Sequence, residues 1–237
     1  MISHRFKHIL PGIAFFAYLN VLPVAIHAES GDSQVLIPGG EYNLGSYYCE
    51  EEQSNADWCN DEALRKVKIG PFWIDKYEVS NADYRECFIA GVCEPAGLHE
   101  DRPKGFNKPR QPVVFVSWED ARTYCAWREG KLPTEAQWEA AAQGKKLGGA
   151  YFAQPYGTGA PEDTGKFTAN SNGLYDMMGN VYEWTQDWYE ASKEKNKVVR
   201  GGSWNSPGHY LRTSDRVKKD PELRYSDVGF RCIKIEK

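Results

Sequence analysis

All six cysteines, Cys49, Cys59, Cys87, Cys93, Cys125 and Cys232, lie behind a leader in which Arg5 and Lys7 precede an apolar run from Ile9 to Val24. A basic start, a short apolar run and a small Ala28 ahead of Glu29 make the layout of a secretory signal peptide. The run is interrupted by Pro11, Gly12 and Asn20 and is short for a membrane span. Residues 1–28 are therefore expected to be removed, leaving a single domain over 29–237 with no membrane span. An even cysteine count in an exported chain predicts disulfides, which constrain the fold more than any other feature here. Several pairings are open. Short loops favour Cys49 with Cys59 and Cys87 with Cys93, which leaves Cys125 and Cys232 to join distant segments. That long bridge would contribute about 4–5 kcal/mol in the loop-entropy description.

Composition narrows the function classes. At 41% hydrophobic and 14% aromatic residues, the 237-residue chain suits one domain with a sizeable core. Loss of Arg5 and Lys7 with the leader takes the formal charge from -4 to -6, an acidic balance that argues against nucleic acid as a partner. Only His99 and His209 lie outside the leader, so a multi-histidine zinc or iron site has no ligands to draw on. Residues 29–237 hold no Asn-x-Ser/Thr acceptor, which favours a bacterial periplasmic or secreted setting over a eukaryotic lumen.

The element grammar is clearest between residues 112 and 144. Val113 to Val116 reads as a short buried strand. Ser117 with Asp120 caps a helix that ends at Gly130, and Thr134 with Gln137 caps a second helix closed by Gly144. Ser80 with Asp83 gives a similar start to a helix through about Ala90, stopped by Gly91. Earlier, Gln34–Ile37 and Tyr42–Gly45 read as strands about a Pro38-Gly39-Gly40 turn, and Val67 to Val79 as one extended stretch. The acidic loop of residues 50–62 is too polar for the core. From Lys145 onward helical periodicity disappears, which predicts loops and short strands in an aromatic-rich half.

Seven blocks in order carry a family resemblance. They include Ile37-Pro38-Gly39-Gly40 with Leu44-Gly45, Phe72-Trp73-Ile74-Asp75-Lys76-Tyr77-Glu78-Val79-Ser80-Asn81 and Pro112 to Trp118, followed by Lys131-Leu132-Pro133-Thr134-Glu135-Ala136-Gln137-Trp138-Glu139. Gly173 to Trp184, Arg200-Gly201-Gly202-Ser203-Trp204 and Gly229-Phe230-Arg231-Cys232 complete the set. Together they resemble the formylglycine-generating, or sulfatase-modifying factor, superfamily. The resemblance implies an irregular α+β fold related to the C-type lectin arrangement, with little regular secondary structure, bound calcium and a Cys125–Cys232 bridge. For the calcium, Asp176 and Glu183 offer hard carboxylate oxygens, and by similarity Gly179 and Val181 would supply carbonyls. A competing reading is that both acids accept hydrogen bonds from turn amides.

Catalytic members of the superfamily oxidise a substrate cysteine to formylglycine with a copper-binding cysteine pair placed shortly after the Gly-Gly-Ser segment. Here Ser206 stands about where the first would fall, and no cysteine follows until Cys232. Thiolates are the soft ligands that select Cu(I), so copper and formylglycine generation are not expected. Two uses of the pocket remain. One is a non-catalytic binding or assembly module, with Trp184, Trp188, Tyr189 and Trp204 as candidate contact residues and an unknown protein or small-molecule partner. The other is a periplasmic oxidoreductase or maturation enzyme, resembling the pyoverdine-maturation members, with Ser203, Ser206, His209, Tyr210, Arg212 and Asp215 as candidates. In that role His209 would act as acid or base and Arg212 would hold an anion.

Overall fold

The computed structural model describes residues 33–46, 59, 62–97, 105–143, 148–152 and 159–235, apart from the His209 side chain. The leader at residues 1–28, Cys49 and His99 lie outside them.

Among the described residues, three short helices each begin with the reciprocal cap that the sequence predicts. α1 (Asn81–Ile89), α2 (Trp118–Trp127) and α3 (Glu135–Ala142) start at Ser80, Ser117 and Thr134, whose side chains accept from the backbone N–H three residues on. The side chains of Asp83, Asp120 and Gln137 return a bond to the cap backbone. Such a cap is worth about 1 kcal/mol, enough to fix where a ten-residue helix begins. Gly91 follows α1 at a left-handed φ of 71°. After α2 that conformation is taken by Glu129, at φ 58°, one residue before the expected Gly130. Gly130 is needed for a different reason: a Cβ there would meet the Ile233 carbonyl at 2.5 Å. The expected terminator of α3, Gly144, lies outside the described residues.

The strands tie distant parts of the chain together. β1 (Gln34–Ile37) and β11 (Ile233–Ile235) both pair antiparallel with β4 (Phe72–Asp75), so the two ends of the domain share one three-stranded sheet. β2 (Gly40–Leu44) pairs with β3 (Arg65–Ile69) in a separate ribbon. The expected single stretch from Val67 to Val79 is thus divided between two sheets, because Gly70 and Pro71 turn the chain between β3 and β4. β5 (Ala150–Tyr151) pairs in parallel with β6 (Met178–Gly179).

One other expectation is corrected. Val113, Val114 and Val116 are buried, but the stretch joins no ladder, because Phe115 adopts a positive φ of 58°. Its neighbourhood is bonded irregularly, with Val113 N–H to the Val79 carbonyl and Phe115 N–H to the Tyr225 carbonyl. The half after residue 145 holds loops and short strands, as expected. β7 (Tyr182–Trp188), β8 (Lys197–Arg200), β9 (Arg216–Lys219) and β10 (Val228–Gly229) form a four-stranded sheet in the order β10-β7-β8-β9. Its register is bulged between Trp184 and Trp188.

The disulfides Cys87–Cys93 and Cys125–Cys232 are present, and all four residues are buried in the largest core cluster beside Tyr84, Tyr124, Trp184 and Phe230. Cys59 is also disulfide-bonded. The long bridge fastens α2 to the residue preceding β11. Among the described residues no helix is long and apolar enough to cross a membrane. The structure is α+β, as expected.

Candidate functional site

Two polar clusters are buried side by side, and main-chain bonds lace them together. Gly179 N–H donates to the Gly201 carbonyl at 2.7 Å, and Trp204 N–H donates to the Asn180 carbonyl at 2.7 Å. The first cluster lies around residues 176–183, the second around 201–215.

In the first, Asp176, Gly179 and Asn180 all adopt positive φ, which folds the chain sharply onto itself. Gly179 is required: a Cβ at that position would stand 1.9 Å from the Tyr151 carbonyl oxygen. At the centre is Arg231, fully buried, with all five of its N–H groups engaged. It donates to both oxygens of Glu183 at 2.7 Å and to the carbonyls of Asp75, Lys76 and Tyr175. Trp138 Nε1 donates to Glu183 Oε2 at 2.8 Å. Glu78 accepts from the Asn180 amide at 2.7 Å and from the Val181 N–H at 3.3 Å.

Three buried carboxylates, Glu78, Asp176 and Glu183, therefore face one guanidinium. Burial, reinforced by repulsion from Asp176 and Glu183, holds Glu78 well above the usual carboxylate range. Burial likewise lifts Asp176 to about 6, against the opposing bond from the Gly165 N–H. Asp176 Oδ1 is buried without a hydrogen-bond partner.

These observations bear on the expected cation. Glu183 Oε2 already accepts two hydrogen bonds, whereas Oε1 accepts one from Arg231 and keeps a lone pair. With the unpartnered Asp176 Oδ1 and the excess of buried negative charge, the cluster suits a hard cation. Among the described residues no three His, Cys, Asp or Glu side chains gather in a metal-binding arrangement. A cation here would consequently depend on main-chain carbonyls, such as those of Gly179 and Val181, as much as on carboxylates.

The second cluster begins at two glycines, Gly201 and Gly202, with φ of 94° and 75°. A Cβ on Gly202 would press on Leu211 at 2.5 Å, so the tight turn brings the 3₁₀ turn Gly208–Leu211 against the Gly-Gly-Ser segment. Three hydroxyls then form a buried chain. Ser203 Oγ and Ser206 Oγ are 3.0 Å apart, and the Tyr182 hydroxyl is hydrogen-bonded to Ser206. Ser206 Oγ accepts from the Ser203 N–H, and Ser203 Oγ accepts from the Asn205 N–H. Burial pushes the Tyr182 phenol up, so it stays protonated.

Beside them is a second shortage of cations. Arg212 Nη2 donates to Glu62 Oε1 at 2.6 Å and reaches Asp215 Oδ1 at 3.3 Å, while Ser214 Oγ donates to Glu62 Oε2 at 2.6 Å. Burial raises Asp215 to about 7; Arg212 opposes the rise and Glu62 adds to it. Asp215 Oδ2 has no hydrogen-bond partner.

Of the six pocket residues named from sequence, the His209 side chain lies outside the described residues, and the other five do not all converge. Ser203, Ser206 and Asp215 are buried, Arg212 is partly buried in its ion pairs, and Tyr210 is exposed. Of the expected contact aromatics, Trp184 and Trp204 are core residues and only Trp188 and Tyr189 are partly exposed. Sequence reasoning assigned no role to Glu62, Glu78, Trp138, Tyr182 or Arg231. A signal existed for Glu78 and Arg231, each a charge flanked by aromatic and apolar residues inside a quoted block.

The sulfatase-modifying factor enzyme 1-like domain profile matches residues 22–166 and 154–235. The chain is 30% identical to the bovine protein named inactive C-alpha-formylglycine-generating enzyme 2, over 93% of this chain and 96% of that one. It is 27% identical to the formylglycine-generating enzyme of Streptomyces coelicolor, over 88% and 91% of the two chains. The solved structure of PvdO from Pseudomonas aeruginosa superposes with a TM-score of 0.69 at 24% identity, covering 86% of this chain and 94% of that one, a likeness of fold.

Proposed function

From the premise that the chain belongs to the sulfatase-modifying factor enzyme 1-like family, we propose that it is an exported binding or assembly module that does not generate formylglycine. The observation that carries this reading is the hydroxyl chain Tyr182–Ser206–Ser203, which fills the place where the resemblance puts a copper-binding thiol. A neutral hydroxyl is a poor ligand for Cu(I). Cys59, Cys87, Cys93, Cys125 and Cys232, the cysteines among the described residues, are all disulfide-bonded, so none is a free thiolate. Intact mass after alkylation tests this. The native protein should take up no alkylating reagent, the reduced protein should take up six equivalents, and copper-loaded protein should form no aldehyde on a cysteine peptide. Two reactive thiols in the native state, together with aldehyde formation, would sink the reading.

A second reading, a maturation enzyme, draws support from Asp215. A buried carboxyl that titrates near neutrality, with one oxygen unpartnered, can exchange a proton beside the hydroxyl chain. Mass spectrometry of exported products from a deletion strain would test it. A product restored by the wild type but not by Asp215→Asn carries that reading.

Calcium belongs to the same proposal. Asp176, Gly179, Val181 and Glu183 would hold it, and bound calcium would neutralise the buried carboxylates. At one hundred times its dissociation constant it should stabilise the fold by about 2.7 kcal/mol. A rise in Tm with calcium that magnesium does not reproduce and Asp176→Ala removes is the expected result. An unchanged Tm at millimolar calcium would overturn it.

A further inference from the structure

The end of α1 exposes an apolar surface that the core does not use. Phe88 is 47% exposed, Ile89 70% and Val92 48%, within five residues of one another. Aromatic and aliphatic side chains of this size, gathered in one place, mark contact surfaces more often than scattered exposure does. The buried disulfide Cys87–Cys93 brackets all three in the chain, so the segment that carries them is held in one shape before anything binds. Preordering of that kind lowers the entropy lost on association.

A cavity of about 250 Å³ opens beside the patch, and its lining includes the apolar Phe88, Pro95 and Val113, the charged Arg85 and the polar Asn81 and Asn107. It is smaller than the roughly 300–1,000 Å³ of a drug-sized ligand site, and its size suits one or two side chains. Arg85 is the one charged residue in the lining, and no carboxylate among the described residues pairs with it. Arg85 and Phe88 are three residues apart on the helix and so share a face. The floor is closed by Tyr84, whose hydroxyl is already committed to the Glu94 carbonyl at 2.9 Å. What remains open is a wall of mixed character: Phe88, Pro95 and Val113 are its apolar part, Asn81 has its amide engaged by the Phe106 and Lys108 carbonyls, and the Arg85 guanidinium stands at the side.

We propose that this groove is the docking surface for an extended segment of a partner protein that carries a bulky apolar side chain next to a carboxylate. The apolar side chain enters between Phe88, Pro95 and Val113, and the carboxylate meets Arg85. The inference rests on the binding-module reading and names its surface, which is remote in sequence from the Ser203–Asp215 segment.

The test uses the full exported chain, ¹⁵N-labelled, with two short peptides as probes: acetyl-Phe-Asp-Ala-amide and its counterpart with Asn in place of Asp. The Asp peptide should shift the amides of α1 and of residues 95–97, and bind about fivefold more tightly than the Asn peptide, the range of a partly exposed ion pair. Arg85→Gln should abolish that difference, and Phe88→Ala should weaken both peptides about tenfold. Both side chains are exposed, so the variants should keep the wild-type Tm. Absence of shifts on α1, or equal binding of the two peptides to the wild type, overturns the proposal. So does a concentration-dependent dimer that Phe88→Ala dissociates, because the patch would then serve a second copy of the chain. None of these failures touches the alkylation and aldehyde results, which test the underlying reading separately.

Discussion

The two buried polar clusters share a boundary but are finished to different degrees. Around Arg231 every donor is used, and Glu183 receives bonds from Arg231 and Trp138. Around Asp215 one arginine is divided between two carboxylates, and an oxygen is left over. A buried ion pair repays its desolvation only when its hydrogen bonds are complete. By that criterion the Glu183–Arg231 pair is a fixture that joins β7 to the segment before β11. The Asp215 region is instead a place where protonation or a ligand changes the energy. Asp176 belongs with the second kind although it lies beside the first, since its Oδ1 is also unpartnered.

The largest effect is expected at Arg231. Arg231→Leu leaves Glu183 buried and uncompensated and frees three carbonyls, so it should destabilise the fold by about 3–5 kcal/mol in urea unfolding. A loss below about 1 kcal/mol would mean that the pair is not the fixture described.

Asp215→Asn should act in the opposite direction. The folded carboxyl titrates near 7, above its ordinary value of 3.8, so ionising it opposes folding. That cost is absent at pH 4, grows as the pH rises toward 7 and is constant above. At about 1.36 kcal/mol per pKa unit it is on the order of 4 kcal/mol as an upper figure. Asn cannot ionise, so the variant should be more stable than wild type at pH 8 by about 2 kcal/mol and equal to it near pH 4. A stability difference that does not change with pH would show that Asp215 does not titrate in this range.

Ser206→Ala tests the hydroxyl chain with the smallest expected effect. The Ser203 N–H, the Ser203 hydroxyl and the Tyr182 hydroxyl all lose a partner, for a loss of about 1–2 kcal/mol. Ser206→Cys, by contrast, should fold normally and, because the position is buried, give one alkylatable thiol only after unfolding without reduction.

Much of the fold was legible because its signals are local. Ser80, Ser117 and Thr134 announce three helices through partners three residues away, and a cap needs nothing further along the chain. Cys87 and Cys93 pair across a short loop for a similar reason. Elsewhere local signals misled. Val113 to Val116 has strand composition but no strand beside it to complete a ladder, and strand propensity reflects neighbours more than backbone preference. Lys197–Arg200 and Arg216–Lys219 were unreadable in advance because each becomes a strand only by pairing with the other and with Tyr182–Trp188.

By itself the sequence determined where the helices start, which cysteines are near enough to bridge locally, where glycine permits positive φ, and that the Gly-Gly-Ser segment is followed by hydroxyls instead of thiols. Those properties depend on residues within a turn or two of one another, where geometry is set by covalent connection. The tertiary structure alone decided that Glu183 faces Arg231 across 48 residues, that Glu62 reaches Arg212 across 150, and that Asp176 and Asp215 each keep an unpartnered oxygen. A carboxylate's charge state is a property of everything packed around it, and no sequence window contains those neighbours.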